Sequence, residues 1–273
     1  MAEKELYKPE EFYIERPDCR LYCETRGRGP LLLLIHGVAA DADYFKETAQ
    51  ILAEYYTVVT YDRRGYSRST AAEDADYAME TQAEDAACII RRMDAGSACV
   101  IASSAGSTIA AALGLAHPDL TRRLILHEPI LLVDETTQAQ WDALYAGICT
   151  SLQKGRVTGS VLAFVRAMGG NDPRAPERPM EAAAQDLKNM KIFTEKELEH
   201  FFALSRTFAG IPVPVTLLAG ELDPDGLFHK AAESAAQKFG WPLYYVPGYH
   251  NLAQDLPREF AVQILGVLRM YGE

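Results

Sequence analysis

The stretch from Ser97 to His117, SACVIASSAGSTIAAALGLAH, constrains the fold more than any other. A short β-branched run ends abruptly in small residues, and an alanine-rich helical pattern begins at once. A strand that turns straight into a helix forces its corner residue into a strained backbone conformation. The strain is tolerable only where the residues two before and two after the corner are very small. Ser104 meets that condition, with Ala102 and Gly106 at those places. Ser103 would put Ile101 in the crowded position and Ser107 would put Ile109 there, so both suit the corner less well. Ser104 is therefore the candidate nucleophile.

Ala102-Ser103-Ser104-Ala105-Gly106 matches the nucleophile elbow G-x-S-x-G except that alanine replaces the first glycine. One methyl group still fits the tight turn. A second reading of the same residues is a plain helix N-terminus, in which Ser103 or Ser104 accepts hydrogen bonds from orphan N–H groups. The rest of the chain separates the two.

Short apolar strands alternate with helical patterns through most of the sequence. Phe12 to Ile14 and Leu21 to Thr25 read as strands, and Arg26-Gly-Arg-Gly-Pro30 turns the chain into Leu31-Leu-Leu-Leu-Ile35. Five consecutive apolar residues bounded by Gly and Pro suit a strand buried on both faces. A helix from about Asp43 to Tyr55, a strand from Tyr56 to Tyr61 and a helix from Glu80 to Met93 precede the Ala98 to Ser103 strand. The helix after the corner and the strand Arg122 to His127 follow it. This order predicts βαβ units, a mostly parallel central sheet flanked by helices, and ligands at the carboxyl ends of its strands.

Between Glu128 and Gly210 the strands stop and helical spacing takes over. Trp141, Leu144, Tyr145, Ile148 and Leu152 form one apolar stripe, Val161, Phe164, Val165 and Met168 a second, and Leu198, Phe201, Phe202, Ser205 and Phe208 a third. Gly169 to Pro179 is a breaker-rich connection within this region. The sheet pattern resumes at Val213 to Ala219. It continues through Gly220-Glu-Leu-Asp-Pro-Asp-Gly226, a helix to Phe239, a strand from Leu243 to Val246, Pro247-Gly-Tyr-His-Asn251 and a closing helix from Pro257 to Met270.

Composition removes several classes of function. A net charge of −11 over 273 residues argues against nucleic acid and anionic membrane as partners, since both are negative. Five cysteines without CxxC spacing, after a polar start, point to a reducing cytoplasm. Cys19 and Cys23 have no His or Cys partners at ligand spacing, so no metal is expected and the default is a pair of buried thiols. The longest apolar stretch, Ile109 to Ala116, is far short of the ~18 residues that span a bilayer.

Taken together, GRGPLLLLIHG, YDRRGYSRS, ASSAG, LAGELD and PGYHN resemble the α/β-hydrolase family in both content and order. The resemblance implies an α/β-hydrolase core over 1–129 and 211–273 and a helical cap over 130–210. It further implies a triad in the order nucleophile, acid, histidine, carried here by Ser104, Asp223 and His250. A serine hydroxyl needs a neutral imidazole to accept its proton, and the imidazole needs a carboxylate to hold its tautomer. Asp225, just before Gly226 and the next helix, is a weaker acid candidate that helix capping explains. Glu128 is another, since some family members draw the acid from the end of that strand.

The same resemblance gives the oxyanion donors as the backbone N–H groups of Val38 and Ala105. His36 resembles a structural residue, and Asp62-Arg63-Arg64-Gly65 a structural turn with solvated or ion-paired arginines. His127 reads as a core or pocket-lining residue; His117, His200 and His229 read as surface residues. The expected function is a serine hydrolase acting on a small or medium ester, lactone or similar acyl compound, without a cofactor. Perhydrolases, haloperoxidase-like enzymes and carbon–carbon bond hydrolases share the triad, and a non-catalytic ligand-binding member of the fold is the alternative from outside enzymology. A serine at the corner argues against the family's dehalogenases and epoxide hydrolases, which use aspartate there.

Overall fold

A computed structural model describes residues 7–156, 163–164, 166–167, 169, 172–177, 179–200 and 210–273. Nine strands form one sheet: β1 (Glu10–Glu15), β2 (Cys19–Arg26), β3 (Leu31–Ile35), β4 (Thr57–Tyr61), β5 (Thr70–Ala71), β6 (Ala98–Ser103), β7 (Thr121–His127), β8 (Val215–Gly220) and β9 (Leu243–Val246). Their spatial order is β1-β2-β4-β3-β6-β7-β8-β9, with the short β5 paired to β2. Pairs involving β2 are antiparallel, and every pair from β4 through β9 is parallel.

Strand β3 shows why the sheet is covered on both sides. Its five residues are no more than 1% exposed, yet alternate ones join different cores. Leu31, Leu33 and Ile35 pack with Val100, Ala102, Leu124 and Leu126. That side is closed by α2 (Met79–Arg92), α3 (Ala105–Ala116) and, beyond them, the helix Leu227–Phe239. Leu32 and Leu34 pack with Cys99, Ile101 and Ile125 under α1 (Lys46–Leu52) and the closing helix Pro257–Met270. The period of two in a strand sends successive side chains to opposite faces, so a run of five apolar residues is needed where both faces are dry. Each such Leu or Ile contributes ~1.5–3 kcal/mol of transfer free energy, before the entropy of ordering the chain.

Two local features differ from the sequence expectation. The region read as a helix from Asp43 is first a 3-10 turn, Ala42–Phe45, begun by the Asp41 carboxylate accepting from the Asp43 N–H, and only then α1. A short helix, Leu252–Asp255, precedes the closing one. Leu256 separates the two at φ −136°, as expected of a residue before proline.

Between β7 and β8 lie α4 (Glu135–Gln153) and α5 (Met180–Ile192), the latter running into a π-helical turn at Phe193–Glu197. Asp134 starts α4 by accepting from the Thr136 and Thr137 N–H groups at 2.8 and 3.0 Å. Trp141, Ile148, Phe164, Met190, Phe193 and Leu198 join the core on the α2 and α3 side. Of the apolar stripes predicted here, Val161, Val165, Met168, Phe201, Phe202, Ser205 and Phe208 lie outside the described residues. After β8 come α6 (Leu227–Phe239), α7 (Leu252–Asp255) and α8 (Pro257–Met270). Among the described residues no helix is long and apolar enough to cross a membrane.

Candidate active site

Parallel pairing of β6 with β7 sets Ser103 opposite His127, so the next residues, Ser104 and Glu128, leave neighbouring strands at one level. Both turn with positive φ, 54° and 42°, a conformation that side chains other than glycine adopt at a cost of ~1–3 kcal/mol. Backbone bonds fasten the corners: Ser104 N–H donates to His127 O and Glu128 N–H to Leu218 O, each at 2.9 Å. The demand for small neighbours is visible in the distances. A Cβ at Gly106 would stand 2.4 Å from Ile35 O, and one at Gly37 would stand 2.9 Å from the Ser104 Cβ. Ser104 heads α3, yet its side chain makes no capping bond, so the plain N-cap reading is not realised.

His250 arrives from the loop after β9, and its Nδ1 lies 2.7 Å from Glu128 Oε2. Glu128 Oε1 accepts the Gly220 N–H at 2.8 Å. Burial alone would raise the Glu128 carboxyl, but its bonds and charge interactions with His250, the nearby His127 and the Gly220 N–H together hold it below its ordinary value. A carboxylate accepting from Nδ1 leaves the neutral ring with its lone pair on Nε2. Phe228 of α6 stacks on the imidazole at 4.1 Å between centroids.

This geometry corrects the acid read from the sequence: the carboxylate on His250 is Glu128, whereas Asp223 stands elsewhere. Asp223 Oδ2 fills the space that a side chain at Gly226 or Gly169 would need, 2.2 and 2.4 Å from where their Cβ atoms would be. Asp225 does not cap α6 but pairs with Lys230 Nζ at 3.1 Å. The two carboxylates follow different strands. β7 is the immediate neighbour of the nucleophile strand, and β8 lies one strand farther out.

Ser104, His250, Val38, Gly37, Ala40, Tyr44, Ser103 and Asn251 line one cavity of about 20 Å³. Ser104 Oγ and His250 Nε2 are both buried and have no hydrogen-bond partner among the described residues. The Val38 and Ala105 N–H groups likewise donate to no acceptor there. For Ala105 this follows from its place in the first turn of α3, where N–H groups lack intrahelical acceptors. Tyr44 and Asn251 are pocket residues the sequence did not mark. Tyr44 stands in no quoted motif, and Asn251 closes the PGYHN stretch, where only His250 was given a role.

The remaining singled-out residues have structural partners. The His36 ring is buried and bonded to its own loop. Arg64 is buried and makes a two-pronged bond to Asp85 at 2.7 and 2.9 Å, and Asp62 is held the same way by Arg68. Arg63 is buried against Glu197, so these arginines are ion-paired, and Arg63 and Arg64 are not solvated. His127 is buried, with Nδ1 3.2 Å from Ser103 Oγ. His229 is not at the surface: its ring is buried, stacks on Tyr245 and bonds to Gly220 O at 2.7 Å.

Comparison with known proteins identifies the fold. An uncharacterized hydrolase of Bacillus subtilis (strain 168), YraK, is 29% identical over 267 residues, covering 93% of this chain and 94% of its own. Among solved structures, the epoxide hydrolase CorEH aligns with a TM-score of 0.72 at 16% identity, over 97% of this chain and 100% of its own. A bacterial membrane phospholipase A, a virulence factor, aligns at 0.74 and 21% identity, over 96% of this chain and 86% of its own. Identities this low speak to the fold alone. A family model described as alpha/beta hydrolase fold matches residues 30–246, which span the sheet from β3 to β9 and every residue of the cavity but His250 and Asn251. The chain is a hydrolase-type sheet with a strained serine corner, and it belongs to the alpha/beta hydrolase fold family.

Proposed function

We propose that the protein is a serine hydrolase that cleaves a small or medium ester, lactone or related acyl compound through an acyl-enzyme. In this reading Ser104 is the nucleophile, His250 the general base and Glu128 the carboxylate behind it. The observation that carries it is a pair of buried atoms, Ser104 Oγ and His250 Nε2, which line one cavity with no hydrogen-bond partner among the described residues while Nδ1 is committed to Glu128. Catalytic hydrogen bonds are often loose before substrate binds and tighten in the complex.

Ser104 Oγ adds to the acyl carbon as its proton passes to His250 Nε2, and the carbonyl π pair moves to oxygen. The Val38 and Ala105 N–H groups stabilise that oxyanion. Collapse expels the leaving group, which takes the proton from Nε2. A water molecule, deprotonated by the same nitrogen, then releases the acid and restores Ser104. The likeness to an epoxide hydrolase does not extend to mechanism in this reading, because a serine stands where the family's epoxide hydrolases and dehalogenases use aspartate.

The segment 130–210 acts as the cap. Phe193 and Phe164 lie 5.4 Å apart, Phe164 is 6.4 Å from Phe228, and Phe228 stacks on His250, so insertion side chains reach the wall of the site. A cavity of about 20 Å³ holds little more than one water molecule.

A fluorophosphonate probe tests the reading. The native protein should be labelled at Ser104 and Ser104→Ala should not. A panel of esters, thioesters, lactones and amides of graded acyl length then gives the bond type. A folded protein that takes no label favours a ligand-binding member of the fold instead.

A further inference from the structure

We propose that Arg63 is a positioning residue for the oxyanion donor at Val38, and that Glu197, reaching in from the β7–β8 insertion, holds Arg63 in place; the inference rests on the serine hydrolase reading above.

The donor at Val38 is one half of a peptide group whose other half is the Gly37 carbonyl. Among the described residues no peptide bond is cis, so the Gly37 C=O and Val38 N–H point in opposite directions across one plane. Whatever grips the carbonyl therefore aims the donor. Two groups grip it. Arg63 N–H donates to His36 Nε2 at 3.1 Å, so the neutral ring carries its proton on Nδ1 and donates it to Gly37 O at 2.8 Å. Burial first, and the neighbouring Arg63 charge, hold His36 well below its ordinary value and keep it neutral. The second grip is Arg63 Nη2, which donates to the same oxygen at 3.2 Å.

Arg63 is itself locked. Its Nη1 donates to Gln82 Oε1 at 3.0 Å and to both Glu197 oxygens at 3.0 and 3.1 Å, and its guanidinium lies 4.4 Å from the Tyr66 ring centroid. Glu197 also accepts from the Tyr66 hydroxyl and from Gln82 Nε2. It is fully buried at the end of the π-helical turn, where the i to i−5 bond from Leu198 to Phe193 widens the helix. Single wide turns of this kind are rare and concentrate at functional sites. An unbroken path of bonds thus runs from the insertion to the oxyanion donor: Glu197, Arg63, Gly37 O, Val38 N–H. Seating the insertion completes the oxyanion hole.

The test separates aiming from mere docking of the insertion. Arg63→Met alone would strand a buried carboxylate, so the double variant Arg63→Met with Glu197→Gln is used, beside Glu197→Gln alone. Two alkyl ketones of equal length serve as ligands. In the trifluoromethyl ketone, Ser104 Oγ adds to the carbonyl carbon, its proton goes to His250 and the π pair becomes an oxyanion. The plain methyl ketone stays unreacted. Loss of one oxyanion donor costs ~10²–10³ in kcat, and a misaimed one should cost about 10–100-fold.

The double variant should lose that factor in kcat and in trifluoromethyl ketone affinity together, while KM and methyl ketone affinity stay within about threefold. Glu197→Gln should show the same pattern in smaller measure, and it decides the matter if the double variant does not fold. A folded variant with unchanged kcat overturns the inference. So does an equal loss of affinity for both ketones, which would mean that Arg63 only holds the insertion down. If the native protein forms no Ser104 adduct with the trifluoromethyl ketone, the serine hydrolase reading fails first; if it does, these outcomes bear on Arg63 alone.

Discussion

Glu128→Gln is the sharpest perturbation the site offers, because the structure dictates how the amide must sit. Glu128 Oε1 accepts from the Gly220 N–H, a group that can only donate, so the amide oxygen takes that place. Its NH2 then faces His250 Nδ1, where Oε2 stood at 2.7 Å. A donor opposite Nδ1 requires Nδ1 to accept, which moves the ring proton to Nε2 and leaves no lone pair for Ser104. Water cannot repair this, since the His250 and Glu128 side chains are 3% and 4% exposed. A carboxylate-to-amide change at the third position of a serine triad costs on the order of 10⁴ in kcat. That is about 5 kcal/mol of transition-state stabilisation. The assay is kcat/KM on a chromogenic ester for Glu128→Gln and Asp223→Asn, with circular dichroism to check folding. Asp223→Asn should stay within about tenfold of the native protein, an interval far below the triad loss. Full activity in a folded Glu128→Gln, or collapse in Asp223→Asn alone, would refute the reasoning.

The neighbouring hydroxyls should behave differently: Ser104→Ala should lose ~10⁴ or more in kcat with its fold intact, while Ser103→Ala should keep activity within about tenfold. The reverse ranking would move the nucleophile. Gly106→Ala drives a methyl to 2.4 Å from Ile35 O and 2.7 Å from His36 O, both backbone atoms with little freedom to yield. Overpacking of this kind costs ~1–3 kcal/mol, so its thermal unfolding midpoint should fall by several degrees, and an unchanged midpoint would contradict the crowding argument. His127 is pushed down from 6.5 to about 4, by burial first, with the Glu128 charge opposing and His250 adding. Its depressed folded value means that the unfolded chain takes the proton first, so this stability is present above pH 6.5 and is lost as pH falls from 6.5 through about 4. The loss is about 3 kcal/mol. Urea unfolding at several pH values should show it in the native protein and not in His127→Gln.

The sheet was legible because its strands are doubly buried: Leu31 to Ile35 and Ala98 to Ser103 carry apolar or small residues at both parities, a pattern few other environments accept. The serine corner was legible from sterics, since Ala102 and Gly106 are the residues the crowding demands. The acid was harder to read. LAGELD carries the family's order of residues, but which carboxylate meets His250 depends on a contact between residues 122 positions apart. Local spacing says nothing about that distance. The one local signal for Glu128 was its place directly after a strand beside the nucleophile strand. Arg63 and Glu197 were unreadable as a pair for the same reason, being 134 positions apart and joined only once the π-helical turn is formed. His229 looked like a surface residue because helical spacing alone does not reveal that its face is covered by β8 and Tyr245.

On the proposed reading, the position of the acid also bears on how the site is held beside the insertion. Neighbouring strands lie ~4.8 Å apart, so a carboxylate at the end of β7 starts one strand from Ser104, and one after β8 starts two strands away. The nearer position has a cost, because Glu128 sits almost directly on the stem of the insertion, and a stem that moved with the cap would drag the acid off His250. The chain guards against this immediately. Ile130, Leu131 and Leu132 are all buried in the core, and the Ile130 carbonyl accepts from Thr108 of α3. Glu128 is pinned a second time by the Gly220 N–H at the end of β8. The stem is therefore part of the core up to Leu132, and Asp134 caps α4 just beyond it. On the proposed reading, the acid–base pair is thus held by the core and not by the insertion. The insertion reaches the far side of the site, where Glu197 meets Arg63. On the proposed reading, the proton-transfer half of the machinery is held by the sheet, and the oxyanion half is the one that the insertion touches.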